Sequence, residues 1–323
     1  MIRAFPLAEL ADRVRHEEPL ARRTTWRMGG CARWFLPLTD VGELAGLLRR
    51  MPPEEPLFLL GGGSNLLVAD EGFDGCVIHL EGAFSACSVE REAGAPSSLL
   101  RAGAGLSTRR MAHIAIEAGL GGAEFLSAIP GSVGGALRMN AGAYGAEVAD
   151  SLLSATLLDP RGELHHLPAS ALGLRYRHCD LPDSWIFLEA TFRLHPEKPE
   201  VVRERLRRIN RRRAASQPLN HPSAGSTFKN PPNGPKAWEL IDDAGLRGVS
   251  RGGAQVSEKH SNFLINRGGA TATEMRDLIA LVQERVLARS GILLETEVIL
   301  LGPSGRREPP FRSMKDSPLP TIG

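Results

Sequence analysis

The sequence predicts an α+β protein built from more than one domain, and three observations carry that prediction. Short apolar runs bounded by glycine and proline recur at 57–60, 66–68 and 76–80, as buried strands require. Apolar residues at helical spacing occupy 107–118 and 271–286. The chain has 323 residues, 42% of them hydrophobic and 24% charged, enough for two or three cores at roughly 100–200 residues per domain.

Trp34, Phe35 and Leu36 read as a strand, and Asp40 with Glu43 caps a helix running through Leu44, Leu47 and Leu48 until Pro52 and Pro53 end it. The strand expected at 57–60 runs into Gly61-Gly62-Gly63-Ser64-Asn65, and further strands follow at 66–68 and 76–80. These glycines lie between strands, so they form no Rossmann fingerprint, which needs a strand followed by a helix. Met111, Ile114, Ala115 and Ala118 trace the apolar face of the next helix, with Gly119 just past its end. Strands are expected around 155–158 and 185–188, joined through a turn at Asp159-Pro160-Arg161-Gly162, and a boundary at 195–199. Beyond it Val202, Leu206 and Ile209 give an arginine-crowded segment, 201–213, a helical stripe. Thr271 and Glu274 form a capping box for a helix through Met275, Leu278, Ile279, Val282 and Val286, which Gly291 ends. A strand is expected over 292–301, and the proline-rich end, 303–323, reads as a disordered tail.

Composition narrows the function classes. Lys+Arg at 39 against Asp+Glu at 37 gives a formal charge of +2, so no global field draws the chain to nucleic acid or acidic membranes. Only the 201–213 arginines suggest nucleic acid, and their apolar stripe also fits a packed helix with a solvated basic face. The cysteines at 31, 76, 87 and 179 form no C-x-x-C pair, and no run of about 18 apolar residues or signal peptide is found. A cytoplasmic protein without membrane insertion is expected. The histidines show no metal spacing, so no metal is assigned.

The 61–65 loop can turn successive backbone N–H groups toward a phosphate; alone, it fits a tight connection equally well. A second small-residue region, Ile129-Pro130-Gly131-Ser132-Val133-Gly134-Gly135 and then Asn140-Ala141-Gly142-Ala143-Tyr144-Gly145, leaves room for a flat, bulky ligand such as a flavin and its diphosphate. With no G-K-[ST] anywhere, a dinucleotide fits better than a nucleoside triphosphate. Ser226 follows a glycine in 223–231, with Lys229 nearby, and no G-x-S-x-G surrounds it. Glu297 would share a strand face with Leu293, Glu295, Ile299 and Leu301, where a carboxylate is paired, partly desolvated or simply solvated at an edge.

Taken in order, these motifs, together with Tyr176-Arg177, Gly252-Gly253-Ala254-Gln255-Val256-Ser257 and Leu294-Glu295-Thr296-Glu297-Val298, closely resemble the UDP-N-acetylenolpyruvoylglucosamine reductase family over about 19–302. The resemblance implies a two-subdomain FAD-binding fold of the vanillyl-alcohol oxidase type followed by an α+β substrate domain. The expected divisions are 1–18, 19–80, 81–195, 196–302 and the tail, 303–323. It implies noncovalent FAD with NADPH and a UDP-sugar as co-substrates, and reduction of UDP-N-acetylglucosamine enolpyruvate in peptidoglycan synthesis. Arg177, Ser226 and Glu297 fall on the family's catalytic positions. Gly61, Gly62, Gly63, Ser64, Asn65, Ile129, Pro130, Gly131, Ser132, Gly134, Gly135, Asn140, Gly142 and Ala143 fall on its cofactor contacts, and Tyr176, Lys229, Asn230 and Gln255 on substrate contacts. No long insertion follows Tyr144, so the chain resembles the branch without the extra tyrosine loop. Cys179 stands where the family often has serine, and Ser216 where relatives commonly have lysine; a neighbouring arginine such as Arg213 is the candidate to replace that contact. Another flavin oxidase or dehydrogenase of the same architecture is the nearest alternative, and a nucleic-acid-binding protein acting through 201–213 a distant one.

Overall fold

A computed structural model describes residues 5–91 and 97–305, so the expected tail from 306 onward lies outside the described residues. The six α-helices among them are α1 (Val41–Arg50), α2 (Thr108–Glu117), α3 (Val133–Arg138), α4 (Pro199–Ser216), α5 (Ala237–Asp243) and α6 (Ala272–Ser290). The chain forms two compact units, one from 5–18, 32–64 and 74–216, the other from 19–31, 65–73 and 217–305.

The first unit carries two sheets. One orders Arg15–Pro19, Cys31–Leu38, Phe73–Leu80 and Leu57–Leu60, with the last two strands parallel. The other is antiparallel and orders Leu164–Pro168, Leu152–Leu158, Ile186–Pro196, Ser98–Gly103 and Cys87–Arg91. Trp34, Leu36, Ile78, Leu100, Leu157 and Phe192, all nearly inaccessible, belong to one core with Met111 and Ala115 of α2. Asp40 caps α1 by accepting the Glu43 amide at 2.9 Å, as its sequence signature requires.

The second unit has its own core, in which Met275, Leu278, Ile279, Val282 and Val286 of α6 pack with Trp26, Phe228, Val256 and Leu264. Its sheets are a small antiparallel one, Ser250–Arg251, Ala254–Val256 and Leu264–Asn266, and a parallel pair, Leu66–Val68 with Ile299–Leu301. The expected capping box of Thr271 and Glu274 opens α6, and Gly291 closes it at φ 74°.

Four readings are corrected. The units do not follow the linear divisions, because Trp26 donates its indole N–H to the Leu264 carbonyl at 2.8 Å and Leu66–Val68 pairs with a strand more than 230 residues later. Helix α4 belongs to the first unit rather than to a domain beginning at 196: Val202 is buried there and Arg205 pairs with Glu124 and Glu197, while Leu206 and Ile209 are only half-buried. The strand expected over 292–301 shrinks to Ile299–Leu301, since the preceding residues hydrogen-bond to a loop at 227–229. Leu57–Leu60, expected to be buried, is an edge strand with only Leu60 enclosed.

Asp70 follows the strand Leu66–Val68 and accepts the amides of Ala272 and Thr273, each at 2.8 Å, and the Thr273 hydroxyl at 2.7 Å, at the start of α6. Partial burial raises its pKa, but these hydrogen bonds and the Arg276 charge outweigh that and hold it below the ordinary 3.8. A carboxyl held lower in the folded chain stabilises the fold above the unfolded value, and the contribution is lost as pH falls through the folded value. Asp70→Asn is expected to lower stability at pH 7 by about 0.3–1 kcal/mol, the range for a charge at a helix terminus. The gap between the thermal midpoints of the variant and the parent should close as melts are taken below pH 3.8.

Candidate active site

Two glycine loops of the first unit lie against one another. A Cβ on Gly62 would sit 2.6 Å from the Gly131 Cα, and one on Gly61 would sit 2.5 Å from the Ser132 hydroxyl, so neither position admits a side chain without displacement. Ser64 donates its hydroxyl to the Pro130 carbonyl at 2.7 Å. Thr108, at the start of α2, pins the second loop by donating to the Ile129 carbonyl at 2.5 Å. Ser132 caps α3 through the Gly135 amide, and Gly134 donates to the Ala104 carbonyl at 2.9 Å. The amides of Gly61, Gly62, Gly63, Ser64, Gly131 and Ser132 donate to no group among the described residues. Two backbone segments with uncommitted N–H groups are thus held together.

Arg177 sits at the tip of a tight turn in which Arg175 and His178 exchange backbone bonds at 3.0 Å in both directions. Its backbone is left-handed, φ 54°, a conformation that costs a non-glycine residue roughly 1–2 kcal/mol. Such strain persists where the surroundings enforce it. Asp180 does so: it accepts from His178 at 2.9 Å and from both terminal nitrogens of Arg175 at 3.0 and 2.7 Å, bonds that hold its own pKa below the usual range. The Arg177 guanidinium lies 5.1 Å from the half-exposed Tyr176 ring and donates to the Gly142 carbonyl at 3.0 Å. That carbonyl belongs to a hairpin in which Gly142 and Ala143 pair with Glu147 and Ala146. Asn140 is wholly buried below it, with its amide engaged by the Ala149 N–H and the Arg175 carbonyl, so its side chain braces the hairpin.

Sequence reasoning gave no role to the contact at the hairpin tip. The Arg212 guanidinium of α4 stands 5.5 Å from the Tyr144 ring centre. Burial raises the Tyr144 pKa, and the charges of Arg213 and Arg212 work against that rise. Arg213, the candidate to replace the missing lysine, is close enough for its charge to act on Tyr144. Nothing in the arginine run distinguishes these two, because the face a helix turns toward a distant hairpin is set by tertiary packing.

In the second unit, Ser226 and Glu297 are linked through the peptide between them. The Glu297 amide donates to the Thr227 carbonyl at 2.8 Å, the Lys229 amide donates to the Glu295 carbonyl at 2.8 Å, and Phe228 bridges Thr296. Asn65 donates its side-chain amide to the Glu297 carbonyl at 3.0 Å and accepts the Ile299 amide, so this expected cofactor contact anchors the glutamate segment. Alternation survives without a regular strand: Leu294 and Val298 are buried, Leu293 and Glu295 exposed, and Glu297 half-buried. Of the expected substrate contacts, Lys229 pairs with Glu295 at 2.5 Å, Asn230 accepts the first amide of α5 at 3.1 Å, and Gln255 donates to the Gly248 carbonyl at 2.9 Å.

The histidines, read as lacking metal spacing, include one that joins two acids: Asp159, Glu163 and His165 converge at a turn, within 4.8 Å. Arg161 already bridges both carboxylates, at 3.2 and 3.1 Å, and supplies the neutralising charge.

The chain is similar to known proteins along most of its length. Residues 35–168 match the model of an FAD binding domain, and residues 217–301 match that of the UDP-N-acetylenolpyruvoylglucosamine reductase C-terminal domain. A UDP-N-acetylenolpyruvoylglucosamine reductase from Magnetococcus marinus is 48% identical over 95% of this chain and 98% of its own length. One from Beijerinckia indica is 45% identical over 92% of this chain and 93% of its own. The crystal structure of the Thermus caldophilus UDP-N-acetylenolpyruvylglucosamine reductase superimposes with a TM-score of 0.76 at 35% identity, covering 89% of this chain and 98% of that one. With relatives this similar along almost the whole of both sequences, the chain belongs to the UDP-N-acetylenolpyruvoylglucosamine reductase family.

Proposed function

We propose that the protein is a cytoplasmic FAD-dependent reductase that converts the enolpyruvyl ether of a UDP-N-acetylhexosamine to a lactyl ether, with NADPH as reductant. The observation that carries the FAD reading is the pair of glycine-rich loops held against each other in the first unit. Their uncommitted amides at 61–64 and 131–132 suit a dinucleotide diphosphate, since the donors are preformed and the glycines at 61–63 and 131 carry no Cβ to block close approach. Gly61, Gly62, Gly63, Ser64, Ile129, Pro130, Gly131, Ser132, Gly134 and Gly135 would hold it, with Gly142 and Ala143 at the hairpin. Held there and first reduced by NADPH, FAD would supply hydride for the methylene carbon of the substrate.

The chain's own groups then deal with charge and a proton. Hydride arrival leaves negative charge on the second alkene carbon and its carboxylate. Arg177 suits that carboxylate, because a guanidinium presents donors in a fixed fork and its backbone is held rigidly at a turn tip. Glu297, in its protonated form, donates a hydrogen bond to the developing enolate. Ser226 delivers the proton to carbon; a hydroxyl is a weak acid, yet an enolate carbon is a strong base, and a positioned general acid contributes roughly 10²–10⁴-fold. Tyr176, Lys229, Asn230 and Gln255 hold the nucleotide sugar, and the bonds that now engage the last three would be exchanged for substrate contacts.

Three outcomes test this reading. Ser226→Ala should leave reduction of the flavin by NADPH intact and slow its reoxidation by the enolpyruvyl substrate by roughly 10²-fold or more, as general acid catalysis predicts; unchanged rates of both half-reactions in stopped-flow absorbance would refute the serine's role. Gly62→Ala should yield protein that copurifies with little flavin, read as a loss of absorbance near that of free flavin, because the new methyl group overlaps Gly131. Parallel initial-rate lines are expected with NADPH and substrate varied together, since the chain has no dinucleotide fingerprint left over for NADPH; intersecting lines would mean that both are bound at once.

A further inference from the structure

We propose that Asn262 is a positioning residue for the reaction, fixing Ser226 against Glu297 through the backbone of the segment between them. This inference rests on the reading of Ser226 as the proton donor.

The loop residues that follow Ser226 meet backbone on one side, through an isolated bridge of Phe228 to Thr296. On that side stand the Glu295 carbonyl and the Glu297 amide, each 2.8 Å from its partner on Lys229 or Thr227. On the other side there is no strand. Asn262 takes its place: its side-chain Oδ1 accepts the Phe228 amide at 2.9 Å, its Nδ2 donates to the Phe228 carbonyl at 2.9 Å, and its own carbonyl accepts the Thr227 amide at 2.8 Å. One residue thus satisfies three main-chain groups of a dipeptide whose side chains are fully enclosed, Thr227 at 0% and Phe228 at 1% exposure. Buried amides and carbonyls left without partners are costly, so the register of this segment has no cheap alternative.

The Thr227 peptide is the point where this clamp meets the candidate site. Its N–H is held by Asn262 and its carbonyl by the Glu297 amide, while the Glu297 carbonyl is held by Asn65 at 3.0 Å. Ser226 is the residue immediately before this doubly held unit, so its Cα is determined by it. Asn262 is itself fixed, 3% exposed, in a tight loop closed by the Ser257 amide on the Phe263 carbonyl and the Phe263 amide on the His260 carbonyl, each at 2.9 Å. An amide side chain is the required chemistry, because it offers one donor and one acceptor in the spacing of a peptide; a carboxylate lacks the donor and alanine lacks both.

The consequence for catalysis is specific. Proton transfer to carbon tolerates little error, and a displacement of about 1 Å can cost on the order of 10²-fold in rate. Hydride uptake from NADPH uses neither Ser226 nor the enolate contact. In the flavin-loaded enzyme, Asn262→Ala should therefore slow reoxidation by the enolpyruvyl substrate by between 10-fold and 100-fold, leave reduction by NADPH unchanged, and cause no further slowing when added to Ser226→Ala. Asn262→Asp, which preserves shape and the acceptor but loses the donor, carries the same test with a smaller packing change if the alanine variant does not fold. Equal slowing of both half-reactions, or an effect of full size in the Ser226→Ala background, would show a merely structural asparagine and overturn the proposal. If Ser226→Ala alone leaves reoxidation unchanged, the proton-donor reading fails and the inference with it. If Ser226→Ala slows reoxidation and Asn262→Ala does not, only the inference fails.

Discussion

The candidate cofactor site depends on one steric condition: backbone must touch backbone between the loop at 61–64 and the loop at 130–132. At the nearest point the two chains leave no room for even a methyl group on Gly62. Everything around the contact maintains it. Thr108 and the Ser64 hydroxyl hold the carbonyls of Ile129 and Pro130, and Ser132 and Gly134 fix the start of α3. The result is a row of unengaged amides on an anchored frame, a preorganised arrangement that needs no reorganisation when an anion arrives.

The second unit ties together the backbone of two segments about seventy residues apart in sequence, those of Ser226 and Glu297, the groups proposed to act on the enolate. It does so with peptide bonds and side-chain amides rather than with regular sheet. Asn65, Thr227, Glu297 and Asn262 form a continuous run of hydrogen bonds, and the regular strand that the alternating sequence suggests gives way to it. The loss of sheet geometry at 292–298 thus comes with the hydrogen bonds of the segment that carries Glu297.

Local chemistry was legible in the sequence. Asp40 with Glu43 and Thr271 with Glu274 mark helix starts that the fold contains, because a cap is decided by residues three apart. The order of the glycine loops, the Tyr176-Arg177 pair and the Ser226 and Glu297 segments was legible as a family pattern, and the family is borne out by the relatives. What could not be read was everything set by partners far along the chain. The pairing of Leu66–Val68 with Ile299–Leu301, the burial of Trp26 in the second core and the membership of α4 in the first all depend on long-range packing. Asn262 is a surface-type residue by composition, and only its contacts with Thr227 and Phe228 give it meaning.

The interleaving of the two units has a bearing on how the polypeptide matures. The parallel partner of Leu66–Val68 is Ile299–Leu301, near the end of the described chain, and Trp26 sits among residues contributed mostly from beyond position 217. During synthesis, Leu66–Val68 and Trp26 therefore emerge long before Ile299–Leu301 and most of the other residues that cover them. The first unit can gather its interior once residue 216 has emerged, whereas the second needs Ile299–Leu301; the interval between is the one in which chaperones and wrong partners would compete for these apolar segments.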